Sequence, residues 1–130
     1  MQKFTVSSKA REEMIDITRE VEKHLPDAGE GIVVVFIQHT TCGLTVNENA
    51  DPDVQTDMLG FLRRLIPQHE PHFKHGEQNS DAHIKSSLVG ASATIPFEDG
   101  RLMVGRWQAI YLCEFDGPRE RNVIVSVAST

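Results

Sequence analysis

Between Gln38 and Asp51 the chain reads QHTTCGLTVNENAD, and His39, Asn47, Glu48, Asn49 and Asp51 fall within thirteen positions of one another. An imidazole changes charge near neutral pH and is a common metal ligand. A carboxylate such as Glu48 can act as a general base, with amides to orient what it acts on. The segment 67–83, PQHEPHFKHGEQNSDAH, carries four more histidines: His69, His72, His75 and His83. Three imidazoles with a fourth position left for water are the donor set of many catalytic zinc sites. The plain alternative is that Asp51 caps a helix, Asn47 and Asn49 serve turns, and His39 ends a strand. The histidine-rich segment is then a solvated loop. In either case His69 and His72, flanking Pro71, are incidental.

The elements that would position these groups follow from apolar spacing. IVVVFI, residues 32–37, is a continuous run that predicts a fully buried strand with His39 at its exit. Phe4 to Val6 predicts an opening strand. Ala10, Met14, Ile17, Val21 and Leu25 recur at helical spacing, so a helix capped by Ser8 is expected to run to Pro26, with His24 in its last turn. Asp51-Pro52 predicts a second helix, with Val54, Met58, Leu59, Leu62, Leu65 and Ile66 inward and Pro67 as its stop. Residues 67–83 read as a long polar loop, which in a small domain is usually functional or disordered. IKSSLVGAS then reads as a short helix or turn. Ala93–Phe97 is a strand in which Pro96 marks an edge or a bulge. Asp99-Gly100 turns the chain into Arg101–Val104. Trp107–Phe115 is a long strand, with Trp107, Ala109, Tyr111, Cys113 and Phe115 on one face and Gln108, Ile110, Leu112 and Glu114 on the other. A carboxylate among Ile110 and Leu112 needs a partner, so Glu114 either meets Arg119 or Arg121 across the hairpin or belongs to a site. Asn122–Ala128 is the last strand. This order predicts an α+β fold, one domain over 1–130, with a largely antiparallel sandwich-like sheet and packed helices.

A chain of 130 residues supports one core. The net charge of −6 carries no basic stripe, which argues against a nucleic-acid partner. There is no apolar run of membrane-spanning length and no visible signal peptide, so a cytoplasmic protein is expected. In that setting Cys42 and Cys113 are expected as free thiols, with Cys42 buried and inert.

QHTTCGLTVNENADPDV, the H-x-E and AHIKSSLVG segments, and IP-x-x-x-GRL-x-x-G-x-WQ-x-IYLCEFDGPR together resemble the YjbQ-like family, in this order and over nearly the whole chain. The resemblance implies a small α+β fold assembled as a homotrimer. It also implies a metal-compatible pocket lined by histidines and acidic residues, and an activity described as thiamine-phosphate synthase. The family pattern falls on His39, Asn47, Glu48, Asn49, Asp51, His75, Glu77, His83, Lys85, Trp107, Gln108 and Glu114. Where the family commonly has Gly-Thr-Trp-Gln, this chain has Gly105-Arg106-Trp107-Gln108.

The chemistry expected of this set can be stated by role. His39, His75 and His83 would hold a divalent metal, Zn²⁺ first and Mg²⁺ as the alternative. Glu48, Asn49, Asp51 and Lys85 would be catalytic, with Lys85 neutralising a phosphate. Asn47, Glu77, Trp107, Gln108 and Glu114 would contact a small-molecule substrate. Three functions fit: thiamine-phosphate synthesis, metal-dependent hydrolysis of an unknown substrate, and metal or ligand binding without catalysis by a trimer.

Overall fold

A computed structural model describes all residues from 1 to 130. Its strands and helices, in chain order, are β1 (Gln2–Ser7), β2 (Glu13–Asp16), α1 (Thr18–Glu22), β3 (Glu30–Ile37), β4 (Cys42–Glu48), α2 (Pro52–Leu65), α3 (Ser80–Val89), β5 (Ser92–Glu98), β6 (Arg101–Leu102), β7 (Gln108–Glu114) and β8 (Glu120–Ser129). Strands β1-β8-β3-β5-β6 form one sheet and β2-β7-β4 a second, every pairing antiparallel. The expected α+β fold is what the chain adopts.

Strand alternation explains the layers. Val33, Val35 and Ile37 of β3, Val123 and Val125 of β8, and Ile95 and Phe97 of β5 point one way and meet Leu44, Ile110 and Leu112 from the smaller sheet. The opposite face of β7 presents Ala109, Tyr111 and Cys113, which with Phe115 form a second core under Ala82 and Val89 of α3 and Leu59 and Leu62 of α2. The order is therefore sheet, core, sheet, core, helices. β7 is the one strand buried on both faces, as its nearly continuous apolar sequence requires. Cys42 belongs to the first core and Cys113 to the second, so the two thiols, both free, lie on opposite sides of a sheet. Burial pushes the Cys42 thiol up to about 11, which keeps it inert.

The expected first helix is corrected. Residues 13–16 form β2, paired with β7, and only Thr18–Glu22 is helical. The helical stripe divides because its members have different destinations. Met14 packs on the second core, while Ile17, Val21 and Leu25 enter the first. An open edge on β7 outcompeted local propensity. Ser8 does not cap a helix; its hydroxyl donates to Glu114 Oε1 at 2.7 Å and accepts from the Arg119 N–H at 2.8 Å. His24 stacks on Phe4 with ring centroids 5.7 Å apart.

α2 starts as expected, with Asp51 Oδ1 accepting from the Asp53 N–H at 2.9 Å and Pro52 at its first position. Its apolar side is only half covered, and Phe61 and Leu65 stay exposed. The segment expected as a loop to residue 83 becomes helical from Ser80, which places His83 on α3. Pro96 behaves as an edge residue. Its carbonyl accepts from the Met103 N–H, so its missing donor faces the side where β6 is only two residues long. Gly43 lets the end of α3 lie on β4, since a Cβ there would stand 2.8 Å from Val89 Cγ1.

Truncating Leu112, which is fully buried between the sheets, should cost about 2–5 kcal/mol in the Leu112→Ala variant by urea unfolding. A cost below about 1 kcal/mol would mean that the inter-sheet core is not packed as described.

Candidate functional site

The candidate residues fall into two groups at opposite ends of β4. One lies where β3 passes into β4. Here Thr40 O accepts from Ser86 Oγ at 2.6 Å, which ties the 38–41 connection to α3. His39 and His83 face each other's elements across two adjoining hollows. The larger, about 500 Å³, is lined by His39, Thr40, Cys42, His83, Ser86 and Ala91 among others. The smaller, about 280 Å³, is lined by no hydrophobic residue and includes Gln38, Glu77, Asn79, Arg119 and the same two histidines. His75 stands edge-on to His83 with ring centroids 5.4 Å apart, and its Nε2 is 3.9 Å from Glu77 Oε2. The structure thus brings His39, His83 and Glu77 to one recess, while His75 stands against His83 and lines a neighbouring hollow.

His39 is held in a defined state. Its Nε2 accepts the Asn122 N–H at 2.7 Å, so the neutral ring carries its proton on Nδ1. Burial, and then the nearby Arg121 guanidinium, push this imidazole below its ordinary value against the opposing pull of Glu114. That arrangement does not fit the expected metal triad. A ligating histidine gives a lone pair from one nitrogen and a hydrogen from the other, and here the lone pair of Nε2 is already taken. No three His, Cys, Asp or Glu side chains of the chain converge to hold a metal ion.

The second group lies beyond the other end of β4, whose seven residues span roughly 20 Å at about 3.3 Å each. Asn47 Oδ1 accepts from the Glu48 N–H at 2.7 Å and its Nδ2 meets Met58 Sδ. The Glu48 carbonyl accepts from Tyr111 Oη at 3.1 Å and from Gln55 Nε2. The Asn49 N–H donates to Trp107 O at 2.8 Å, and Gln108 Oε1 accepts from the Gly105 N–H at 2.7 Å. Trp107 is 55% exposed, with the Arg106 guanidinium 4.9 Å from its ring centroid. Asp51 caps α2. Within one chain these residues do not reach the histidines.

Two expected site residues are corrected by their burial. Lys85 is 0% exposed; its Nζ donates to Glu12 Oε2 at 2.9 Å and Asp81 Oδ2 at 2.8 Å. Asp81 also takes Arg11 Nη1 and Nη2, and Glu12 takes Arg63. This ammonium is matched inside the protein and is not open to a phosphate. Glu114, also 0% exposed, receives Arg121 on both oxygens, Ser8 on Oε1 and the Asp116 N–H on Oε2. It is the partner of Arg121, the alternative in which the two meet across the turn, and both its oxygens are engaged inside the protein. Asn79 and Arg119 line the recess without having been singled out for it. The one sequence signal for Asn79 was Asn-Ser-Asp, a helix-start pattern inside the polar segment.

A family model described as UPF0047 protein YjbQ-like matches residues 2–130. The UPF0047 protein YugU of Bacillus subtilis is 48% identical over 124 residues, covering 94% of each chain. The UPF0047 protein MJ1081 of Methanocaldococcus jannaschii is 47% identical over 127 residues, covering 96% of this chain and 91% of its own. Among solved structures, an uncharacterised conserved protein of the yjbq/upf0047 family from Clostridium acetobutylicum superposes with a TM-score of 0.94 at 45% identity, covering 98% of this chain and 100% of that one. The conserved hypothetical protein TT1486 of Thermus thermophilus gives 0.94 at 47% identity, with the same coverage.

The buried carboxylates set the acid response. Burial alone would raise the Glu114 carboxyl, but hydrogen bonds from Arg121, the Asp116 N–H and Ser8 outweigh it and hold it below the usual carboxylate range. Glu12 and Asp81 are lowered in the same way, Glu12 by Lys85 and Arg63 and Asp81 by Arg11 and Lys85, each against the opposing effect of burial. A carboxyl depressed on folding contributes stability that is present above its unfolded value and lost as pH falls through the folded one. Glu114→Gln, which strands the Arg121 charge, should cost about 3–5 kcal/mol at neutral pH and flatten the acid limb of the stability curve. Urea titrations from neutral to acid pH measure both. An unchanged acid limb would show that Glu114 is not among the groups that set it.

Proposed function

The chain belongs to the YjbQ-like UPF0047 family, and from that premise we propose that it is an enzyme acting on a small phosphorylated or heterocyclic substrate bound in the His39–His83 recess, with thiamine-phosphate synthesis as the candidate reaction. The observation that carries this reading is the pair of adjoining hollows, which share His39, Thr40 and His83 and are lined mostly by polar residue types. A recess with convergent polar groups on its wall is where a small-molecule site is expected. His39, fixed as the Nδ1–H tautomer, offers a donor and not a base. His83, which borders both hollows, is the ring placed to give or take a proton. The expected metal triad does not enter this account, because His39 Nε2 already accepts a backbone N–H. A divalent ion such as Mg²⁺ or Zn²⁺ would instead arrive with the phosphate groups of the substrate.

With a pyrimidine-methyl diphosphate and a thiazole phosphate supplied in Mg²⁺, thiamine phosphate should form, and His83→Ala should lower the rate by about 10²–10⁴-fold. Absence of product with either Mg²⁺ or Zn²⁺ would rule out this reaction. Full activity in His83→Ala would move the chemistry out of the recess.

A homotrimer is part of the same proposal, the number three coming from the family resemblance. What supports assembly is the outer face of the five-stranded sheet. Ile32 and Phe36 are 44% and 43% exposed there, with Val34 between them and Ile124 paired to Phe36. Monomers seldom leave such a face uncovered. Assembly is also the one way for the Glu48–Asp51 group to approach a histidine recess, that of a neighbouring chain. Light scattering should give three chains for the wild type and fewer for Phe36→Glu; a wild-type monomer would end the assembly reading.

A further inference from the structure

We propose that the smaller hollow holds a phosphoryl group of the ligand, bound by the guanidinium groups of Arg119 and Arg121. The inference deepens the reading of the recess as a site for a phosphorylated substrate and rests on it.

With Lys85 matched inside the protein, these two arginines are the cations that border the recess. The Arg119 side chain is 50% exposed, yet it is tied down. Its Nε donates to Asp116 O at 2.8 Å, its Nη2 to Asp116 Oδ2 at 2.9 Å, and its backbone N–H to Ser8 Oγ at 2.8 Å. Asp116 is held in turn, its N–H by Glu114 Oε2 at 2.9 Å and its Oδ2 by Asn79 Nδ2 at 2.7 Å. Asp116 thus takes the edge of the guanidinium formed by Nε and Nη2. The edge formed by Nη1 and the second Nη2 hydrogen has no partner in the protein. That edge is a planar fork, the shape that pairs with two oxygens of a phosphate. An exposed arginine ordinarily loses rotamer freedom when it binds; this one is already ordered, which lowers the cost.

Arg121 supplies a further donor. Its Nε and Nη2 bind Glu114 and Thr41, and Nη1 bonds to nothing in the protein. Asn79 Oδ1 is the one side-chain polar atom sealed from solvent without a partner, so the unbonded Arg121 Nη1 is within reach of solvent. The rest of Arg121 is buried, and the hollow that it borders is the opening available to that nitrogen.

Charge agrees with geometry. The lowered His39 value has burial as its main cause, then Arg121, against Glu114, with Arg119 adding to it. The two guanidiniums therefore outweigh the carboxylate at a ring that lines the hollow. The potential there is positive, in a chain whose net charge is −6. Glu77 borders the hollow too, but its side chain is 72% exposed and lies 3.9 Å from His75 Nε2, so water screens it. A phosphate in the smaller hollow leaves the larger one, which shares His39, Thr40 and His83, for the rest of the substrate.

The probes are phenyl phosphate, phenol and inorganic phosphate, titrated at fixed ionic strength into ¹⁵N-labelled full-length protein. Phenyl phosphate should shift the backbone amides of Gln38, His39 and Thr40 and the Arg119 Nε resonance, and bind roughly tenfold more tightly than phenol. Arg119→Gln should remove that preference and leave phenol unchanged. Arg119→Lys, which keeps the charge without the fork, should restore only part of it. Inorganic phosphate should move the same Arg119 resonance; an affinity equal to that of phenyl phosphate would assign the subsite to the free ion, a weaker one to an ester. The Arg119 Nε shift is read in the wild type, so it stands whether or not the variants fold. An unmoved Nε resonance, or phenol binding as tightly as phenyl phosphate, would overturn the phosphate subsite alone. If no probe shifts resonances around His39 and His83, the recess is not a ligand site and the functional reading fails with this one.

Discussion

The ion pair between Glu114 and Arg121 is the constraint on which the site end of the molecule depends. Glu114 closes β7 and Arg121 lies near the start of β8, so the pair spans the turn that carries the chain from one sheet to the other. Arg121 Nη2 reaches on to Thr41 Oγ1 at 2.9 Å, which fixes the connection that carries His39. Ser8 brings in the end of β1, and the Asp116 N–H brings in the turn. A pair this buried is stable only because its remaining valences are filled. It therefore organises five chain segments at once. Gly117 completes the arrangement, since a Cβ there would lie 2.3 Å from Ala10 O.

A second buried network does for α3 what the first does for the hairpin. Lys85 and Asp81 sit one turn apart on α3, and together they bind Glu12 and Arg11 from the connection between β1 and β2. Arg63, in the last turn of α2, joins through Glu12. With Ser86 bonded to Thr40 and Val89 seated on Gly43, the rotation of α3 about its axis is set by three contacts. His83 faces the recess as a consequence. A site built this way is pre-organised by charges that never meet the ligand.

The recess and the Trp107–Glu48 end are then two distinct surfaces of one protomer. They are joined by β4, an edge strand of the smaller sheet, and by nothing shorter. The recess carries the imidazoles of His39 and His83. The far end carries an exposed tryptophan with a guanidinium on its ring and a helix start.

Much of this was legible in the sequence where the signal is local. The strand at 32–37, the Asp51-Pro52 helix start, the two faces of β7 and the α+β class follow from apolar period and capping, which depend on near neighbours alone, but the full burial expected of that strand does not hold: one face of it, Ile32 and Phe36, is exposed. The motif order pointed to the family, and Glu114 announced its need for a cation by sitting among Ile110 and Leu112. What the sequence could not contain is where separated segments meet. The stripe from Ala10 to Leu25 has helical spacing, yet β7 needed an edge partner and drew Glu13–Asp16 into the sheet. Lys85 looks like a phosphate ligand until Glu12, 73 positions away in the chain, is brought to it. His39 looks like a metal ligand until the Asn122 N–H arrives from β8. The residue types and their spacing determined which chemistry was on offer; burial and long-range hydrogen bonds decided which of those groups remain open to a ligand.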